Sequence, residues 1–349
     1  MKLREIGEFG LIARIRDRLA NLPSNVIQGI GDDCAVSSIS PGNQLVTTTD
    51  LLVEEVHFDL SFLSASELGR KSLAVNLSDI AAMGARPRFA FLSLAIPERL
   101  SVEFLDGFLK GFLELAAPYG VSLLGGDTSA SPDRFFINVT LLGEGKRKNL
   151  VFRHGAKPGD DLYVTGTLGD SFLGLQIARR KKRKPLTPEE AFLLNRHFNP
   201  TPRVKEGRLL GEKKLAGSMI DVSDGLLSDL GHICEESNVS ATIFTHQIPL
   251  SDPLRIQARK MKFLDWQVAI QGGEDYELLF SASPGKAPEV LAQGKRWKCG
   301  ITRIGRIESP GKGIVVQGEE GPIDSRRFRG YDHFAGESGK RPKGKRKKH

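Results

Sequence analysis

Apolar residues recur along this chain with two alternating periods, and that alternation sets the expected architecture. Residues 7–22 repeat at helical spacing through Phe9, Leu11, Ile12, Ile15 and Leu19. Runs at 44–49, 90–96, 121–124 and 135–142 read as strands, separated by helical stretches at 64–83 and 101–119. The first of these helices opens on SASE, where Ser64 and Glu67 fit a capping box. FRHGAKPGDDLYVTG, at 152–166, is a Gly/Pro-rich turn running into a strand at 161–165. Helices near 170–180, 188–195, 203–211 and 225–237 follow, with strands near 218–222, 241–244, 277–281 and 313–317. Strands interleaved with helices predict an α/β (α+β) fold of mixed sheets covered by helices. The expected division is residues 1–148, residues 149–335 and a disordered basic tail at 336–349. Each half has a strand running into an Asp-rich turn, which hints at two distantly similar halves.

Composition narrows the class. The chain of 349 residues is 40% hydrophobic and 26% charged, with a net charge of +8. Seven Lys/Arg and no acids lie in KRPKGKRKKH at 340–349, so the remainder carries only about +1. A second basic block, RRKKRK at 179–184, precedes Pro185. Such runs can contact nucleic-acid phosphates, but they are peripheral and read as a solvated face and tail. The N-terminal stretch is charged throughout and has no signal-peptide core. The longest apolar run, FAFLSLAI, is too short for a membrane span. Cys34, Cys234 and Cys299 show no metal or disulfide spacing, which points to a reducing, cytoplasmic setting.

The chemistry lies in the acids. Asp32 and Asp33 stand together in IQGIGDDCAV, although a turn needs only one Asp to bond its own backbone. Others recur where strands are expected to end: Asp50 in QLVTTTDLL, Asp127 in LLGGDTS, and Asp221, Ser223 and Asp224 in MIDVSDGLL. Strand ends followed by Gly turns are where open α/β sheets place sites. Asp79 is the most informative. It sits in LGRKSLAVNLSDIAAMGA, a helix with almost no solvated face beyond Lys71, where an unpaired carboxylate would be costly. A hard divalent cation suits such carboxylates, and the Thr48 and Thr49 hydroxyls add oxygens. Taken singly, Asp224 also reads as a helix N-cap and Asp127 as a turn former. Clustered acids repel an anionic substrate unless Mg²⁺ ions bridge them to phosphates. The chain has no P-loop and no kinase HRD/DFG set. Arg153, in the Gly-rich boundary, is the candidate phosphate-binding cation.

Eight motifs, GIGDDCAV, TTTDLLVEEVHF, NLSDIAAMGA, LLGGDTS, RHGAKPGDDLYVTG, IDVSDGLLSDLGHI, GGEDYELLF and GYDHF, occur in order within a stretch that runs from about Gly7 to Phe334. Together they resemble the thiamine-monophosphate kinase family, within the aminoimidazole-ribonucleotide synthetase superfamily. The resemblance implies that superfamily's two-domain fold and a homodimer joined through the N-terminal domains. It implies ATP as co-substrate, several Mg²⁺ ions and in-line transfer to thiamine monophosphate without a phosphoenzyme. Metal positions fall on Asp33, Thr48, Thr49, Asp50, Asp79, Asp127, Asp221 and Asp224, with Asp50, Asp79 and Asp127 carrying the catalytic burden. ATP contacts fall on Thr49, Gly126, Asp127, Arg153 and Ser223, and substrate contacts on His57, Glu274 and Tyr331. The last three suit a ligand with a cationic ring and an aminopyrimidine: an aromatic face, a carboxylate and an imidazole.

Two other readings compete. A selenophosphate synthetase of the same superfamily would use a reactive Cys near the N-terminus, whereas Cys34 follows the Asp pair and reads as a small buried residue. A non-catalytic nucleic-acid binder would use the basic block and tail and leave the acids unexplained.

Overall fold

A computed structural model of the chain describes residues 3–19, 23–30, 34–180 and 185–324. The expectations attached to Asp32, Asp33, residues 181–184, Tyr331 and the tail from 336 lie outside these residues.

The first half comprises α1 (Leu3–Arg16), β1 (Val26–Gln28), β2 (Val36–Ser37), β3 (Gln44–Val53), α2 (Ala65–Ala82), β4 (Arg86–Pro97), α3 (Val102–Tyr119), β5 (Ser122–Ser131) and β6 (Phe136–Gly145). Four strands form a sheet in the order β3-β6-β4-β5, antiparallel except for the parallel β4–β5 pair. The capping box is present, with Ser64 accepting from the Glu67 N–H and Glu67 accepting from the Ser64 N–H. α2 and α3 pack closely because Gly111 has no side chain; a Cβ there would stand 1.9 Å from the Ser66 carbonyl oxygen.

The second half comprises β7 (Asp161–Thr165), α4 (Asp170–Ala178), α5 (Pro188–Phe198), α6 (Val204–Glu212), β8 (Ser218–Asp221), α7 (Leu226–Ser237), β9 (Ser240–Phe244), α8 (Asp252–Met261), α9 (Asp265–Gln271), β10 (Leu278–Ala282), α10 (Ala287–Arg296), β11 (Ile301–Glu308), β12 (Ile314–Gly318) and β13 (Gly321–Ile323). The strands form one sheet in the order β13-β12-β9-β11-β7-β10-β8. Alternation along the strands splits its side chains between two cores. Leu162, Val164, Ile220 and Leu279 pack with Leu230 and Ile233 of α7. Tyr163, Met219 and Phe280 join Leu73, Leu77 and Ala81 of α2 in the core that also fills the first domain.

α2 therefore lies between the two sheets, and thirteen of its eighteen residues are buried. The unbroken apolar face seen in the sequence has this cause. Lys71, expected on its solvated side, is only 3% exposed. The reason is a partner from the second domain, described below.

Two acids expected at strand ends lie inside strands. Asp50 is within β3 and Asp127 within β5, because both edge strands continue pairing, β3 through Leu51–Val53 and β5 through Thr128–Ser131. Asp221 does close β8 as expected. Cys34, expected buried, is exposed.

Candidate active site

A cavity of about 1010 Å³ opens between α2, the edge strand β3 and the loops that follow β8 and precede β10. Four carboxylates line one end: Asp50 from β3, Asp79 from α2, and Asp221 and Asp224 from the close of β8 and the turn after it. Thr48 Oγ1 donates to Asp79 Oδ2 at 2.5 Å, and Ser78 Oγ donates to Asp221 Oδ2 at 2.6 Å. The second bond crosses between the domains, so the two halves of the acid cluster are fixed to each other.

Electrostatics sets the chemistry of this end. Burial, then the charge of Asp79, pushes Asp50 up to about 7. Burial and the charges of Asp79 and Asp50 push Asp221 up to about 7, against the Ser78 hydrogen bond. Burial raises Asp79 as well, opposed by Thr48 and by the charge of Arg153. Behind them, burial and the neighbouring Asp221 and Asp224 push Asp229 up to about 8, in spite of backbone N–H donors. Carboxyls that raise one another in this way are relieved by a cation.

The donor set is all oxygen, which suits a hard ion such as Mg²⁺ rather than zinc. Among the described residues, no three His, Cys, Asp or Glu side chains close around a single point. Mg²⁺ fits that arrangement, since it commonly takes one or two carboxylates and fills its octahedron with water and substrate phosphate.

The other end is apolar and aromatic, lined by Val56, Phe58, Phe62, Phe172 and Leu175, with His57, His197 and Glu274 among them, and Tyr276 stands within reach of both Glu274 and the Asp50, Asp79 and Asp221 charges. The Val53 N–H donates to His57 Nδ1 at 2.9 Å, which orients the ring from its own chain. Lys71 Nζ and His197 Nδ1 each lie 3.2 Å from Glu274 Oε2. Burial opposes the charged form of Glu274, but the charge of Lys71, with its hydrogen bond, outweighs it and holds the carboxyl below its ordinary range. Burial and the Lys71 charge push His197 down to about 3, so its ring is neutral. Glu274 and Tyr276 hold backbone φ angles of 63° and 53°. Non-glycine residues rarely adopt that region, and such strain gathers at sites that need a fixed geometry.

The sheet separates the acids by face. Asp50 pairs with Val139, which pairs with Leu92, both in the helix-covered core. Asp127 pairs with Ser93, in one row with Asn138 and Leu51. That row lies on the other face, where Leu51 is 53% exposed and Asp127 is exposed. Thr49 belongs to this face too, bonded to Thr140 and Asn138, and reaches the cavity around the sheet edge.

Known proteins share this plan. Residues 31–144 match the model for the AIR synthase related protein N-terminal domain, and residues 157–317 match the C-terminal domain model. The thiamine-monophosphate kinase of Escherichia coli strain K12 is 38% identical over 331 residues, covering 94% of this chain and 98% of that protein. The chain belongs to the thiamine-monophosphate kinase family. Among solved structures, a crystal structure of thiamine-monophosphate kinase from Stenotrophomonas maltophilia K279a matches with a TM-score of 0.80 and 39% identity, covering 90% of this chain and 98% of that one. AaThiL complexed with AMPPCP and TMP matches with a TM-score of 0.74 and 33% identity, covering 96% and 99%.

Of the positions the family resemblance singles out, Thr49, Asp50, His57, Asp79, Asp221, Ser223, Asp224 and Glu274 line the one cavity. Thr48 stands behind, on Asp79. Arg153 is exposed and does not line the cavity, though its charge reaches Asp79. Gly126 and Asp127 are also outside its lining. Lys71 and His197 were not singled out. Lys71 has a readable signal: it precedes Asp79 by eight residues, about 80° away on a helical wheel, so a helix that turns Asp79 inward turns Lys71 inward too.

Proposed function

We propose that this chain is a Mg²⁺-dependent thiamine-monophosphate kinase that transfers the γ-phosphate of ATP to thiamine monophosphate, giving thiamine diphosphate and ADP. The observation that carries the reading is one cavity with two chemically distinct ends. Carboxylates from both domains line the first, and an aromatic pocket around Glu274 forms the second. A phosphorylated ligand with an aromatic, cationic body suits that division.

The acceptor oxygen belongs to a phosphate already ionised at neutral pH, so the chain needs no strong general base. Phosphoryl transfer asks for alignment and charge neutralisation more than for covalent help. Asp50, Asp79, Asp221 and Asp224, with Thr48, Thr49, Asp33 and Asp127 as further ligands, would hold Mg²⁺, which would supply that neutralisation. Thr49, Gly126, Arg153 and Ser223 serve the nucleotide. His57, Glu274 and Tyr331 serve thiamine monophosphate. The Lys71–Glu274 pair carries no net charge, so Glu274 meets the ligand as a hydrogen-bond acceptor rather than as a free counter-ion.

Asp127 and Asp50 sit on opposite faces of one sheet and on its two opposite edge strands, and a second chain seated against the Asp127 face would complete a shared site. A homodimer across the exposed part of that sheet face supplies that chain, and a cytoplasmic setting agrees with three unpaired cysteines. The test is incubation with γ-labelled ATP, Mg²⁺ and thiamine monophosphate. Label appearing in thiamine diphosphate, with none on the protein, is expected; ATP consumed without labelled thiamine diphosphate contradicts the reading.

A further inference from the structure

We propose that Asp229 is the positioning residue that makes the turn at 223–225 a cation-binding turn instead of an anion-binding one. Successive backbone N–H groups entering a helix form a concavity suited to phosphate. Here the N–H groups of Ser223, Asp224 and Gly225 all donate to one oxygen, Asp229 Oδ2, at 3.1, 3.2 and 3.1 Å. Asp229 lies in the first turn of α7 and is 2% exposed. The chain places its own carboxylate where a phosphate would otherwise lodge.

This changes what the turn offers. The sequence alone left Asp224 readable as a helix N-cap, with its side chain spent on the backbone. The N-cap is instead Gly225, without a side-chain hydrogen bond. With Asp229 satisfying the amides, Ser223 and Asp224 both line the cavity. Phosphates are turned away from the amides and toward the carboxylates, which can meet them only through a cation.

The same turn seats the opposite end of the cavity. The Glu274 N–H donates to the Ser223 carbonyl at 2.7 Å, and the Tyr276 N–H to the Val222 carbonyl at 2.9 Å. Gly273 permits this approach, since a Cβ there would stand 2.3 Å from the Ser223 oxygen. Loosening the turn therefore disturbs Glu274 as well as Asp224.

The inference rests on the proposed reading of the acid end as a Mg²⁺ site, and the test separates the two. Mn²⁺ binding to the full-length protein with AMPPCP is followed by electron paramagnetic resonance. No Mn²⁺ bound by the parent protein overturns the reading itself. Given binding by the parent, Asp229→Ala is expected to weaken Mn²⁺ affinity about tenfold, the scale for residues that orient metal ligands. Sodium formate, and not sodium chloride at equal ionic strength, should restore most of that loss. Asp229→Asn keeps a carbonyl oxygen facing the amides and should bind within roughly threefold of the parent. Unchanged binding in Asp229→Ala, no effect of formate, or an equal loss in Asp229→Asn overturns the inference. Hydrogen exchange on the parent gives a check that survives a poorly folding variant. Slow exchange of the 223–225 amides is expected, and exchange at open-chain rates overturns it.

Discussion

The buried ammonium of Lys71 lies 3.2 Å from Glu274 Oε2, joining residues 203 positions apart and holding the loop before β10 to the helix that carries Asp79. A buried charge left without its partner is costly, so removing one member is felt by the other. Lys71→Met is expected to raise KM for thiamine monophosphate about tenfold while KM for ATP stays near the parent value, since Glu274 loses both orientation and stabilised charge. Steady-state kinetics with each substrate varied in turn checks this. An equal rise in both KM values would argue against a selective role for the pair.

Without metal, the acid cluster should make stability fall as pH rises. Asp50 and Asp221 are each pushed up to about 7 from 3.8. The folded chain therefore holds protons that the unfolded chain has lost. Their stabilisation is complete below about 3.8 and vanishes as pH climbs through about 7. The expected outcome is a thermal midpoint that drops between about pH 4 and 7 in chelator and levels off above that, the slope flattened by saturating Mg²⁺ and by Asp221→Asn. Differential scanning fluorimetry across that range reads the slope directly.

Asp79→Asn should separate activity from stability. Turnover is expected to fall by about three orders of magnitude, the scale set by losing one preorganised charge at a reacting phosphate. The metal-free protein should meanwhile become more stable by about 1 kcal/mol, because Asp50 and Asp221 lose a repelling neighbour. Single-turnover kinetics and chemical denaturation on one preparation test both halves. Near-normal turnover would remove Asp79 from the reaction.

The exposed part of the outer face of the first sheet, beside the stretch that Val26 and Ala35 cover, gives a further handle. Ser93 stands in the row between Asn138 and Asp127, so an arginine there would obstruct a second copy seated on that face. Ser93→Arg is expected to halve the mass seen by light scattering and to abolish turnover, since Asp127 then loses access to a shared site. A variant that stays a dimer and stays active would place the contact elsewhere.

Much of this was legible in the sequence because its signals are local. The Ser64–Glu67 box started α2 where the pattern placed it, and the near absence of polar positions told of a helix covered on all sides. Asp79 in that helix, with Asp50, Asp221 and Asp224 along or after their strands, marks the cavity, whereas Asp127 with its Gly neighbours lies outside its lining. The rest depends on partners distant in sequence. Nothing near Lys71 announces Glu274, and nothing in the local pattern says that Asp229 caps the turn in place of Asp224. Asp50 and Asp127 were placed at strand ends because Asp and Gly discourage strands, yet edge pairing carried both strands further. The two faces of that sheet, which set Asp127 apart from Asp50, follow from register and not from composition.

The central claim is that carboxylates from both domains gather divalent cations into one cavity between two phosphates. Mn²⁺ titration of the parent protein with AMPPCP and thiamine monophosphate, followed by electron paramagnetic resonance, tests it most directly against Asp79→Asn from the first domain and Asp221→Asn from the second. Tight binding in the parent, weakened in both variants, is the predicted result. Binding that is unchanged in either variant would contradict a site shared between the domains.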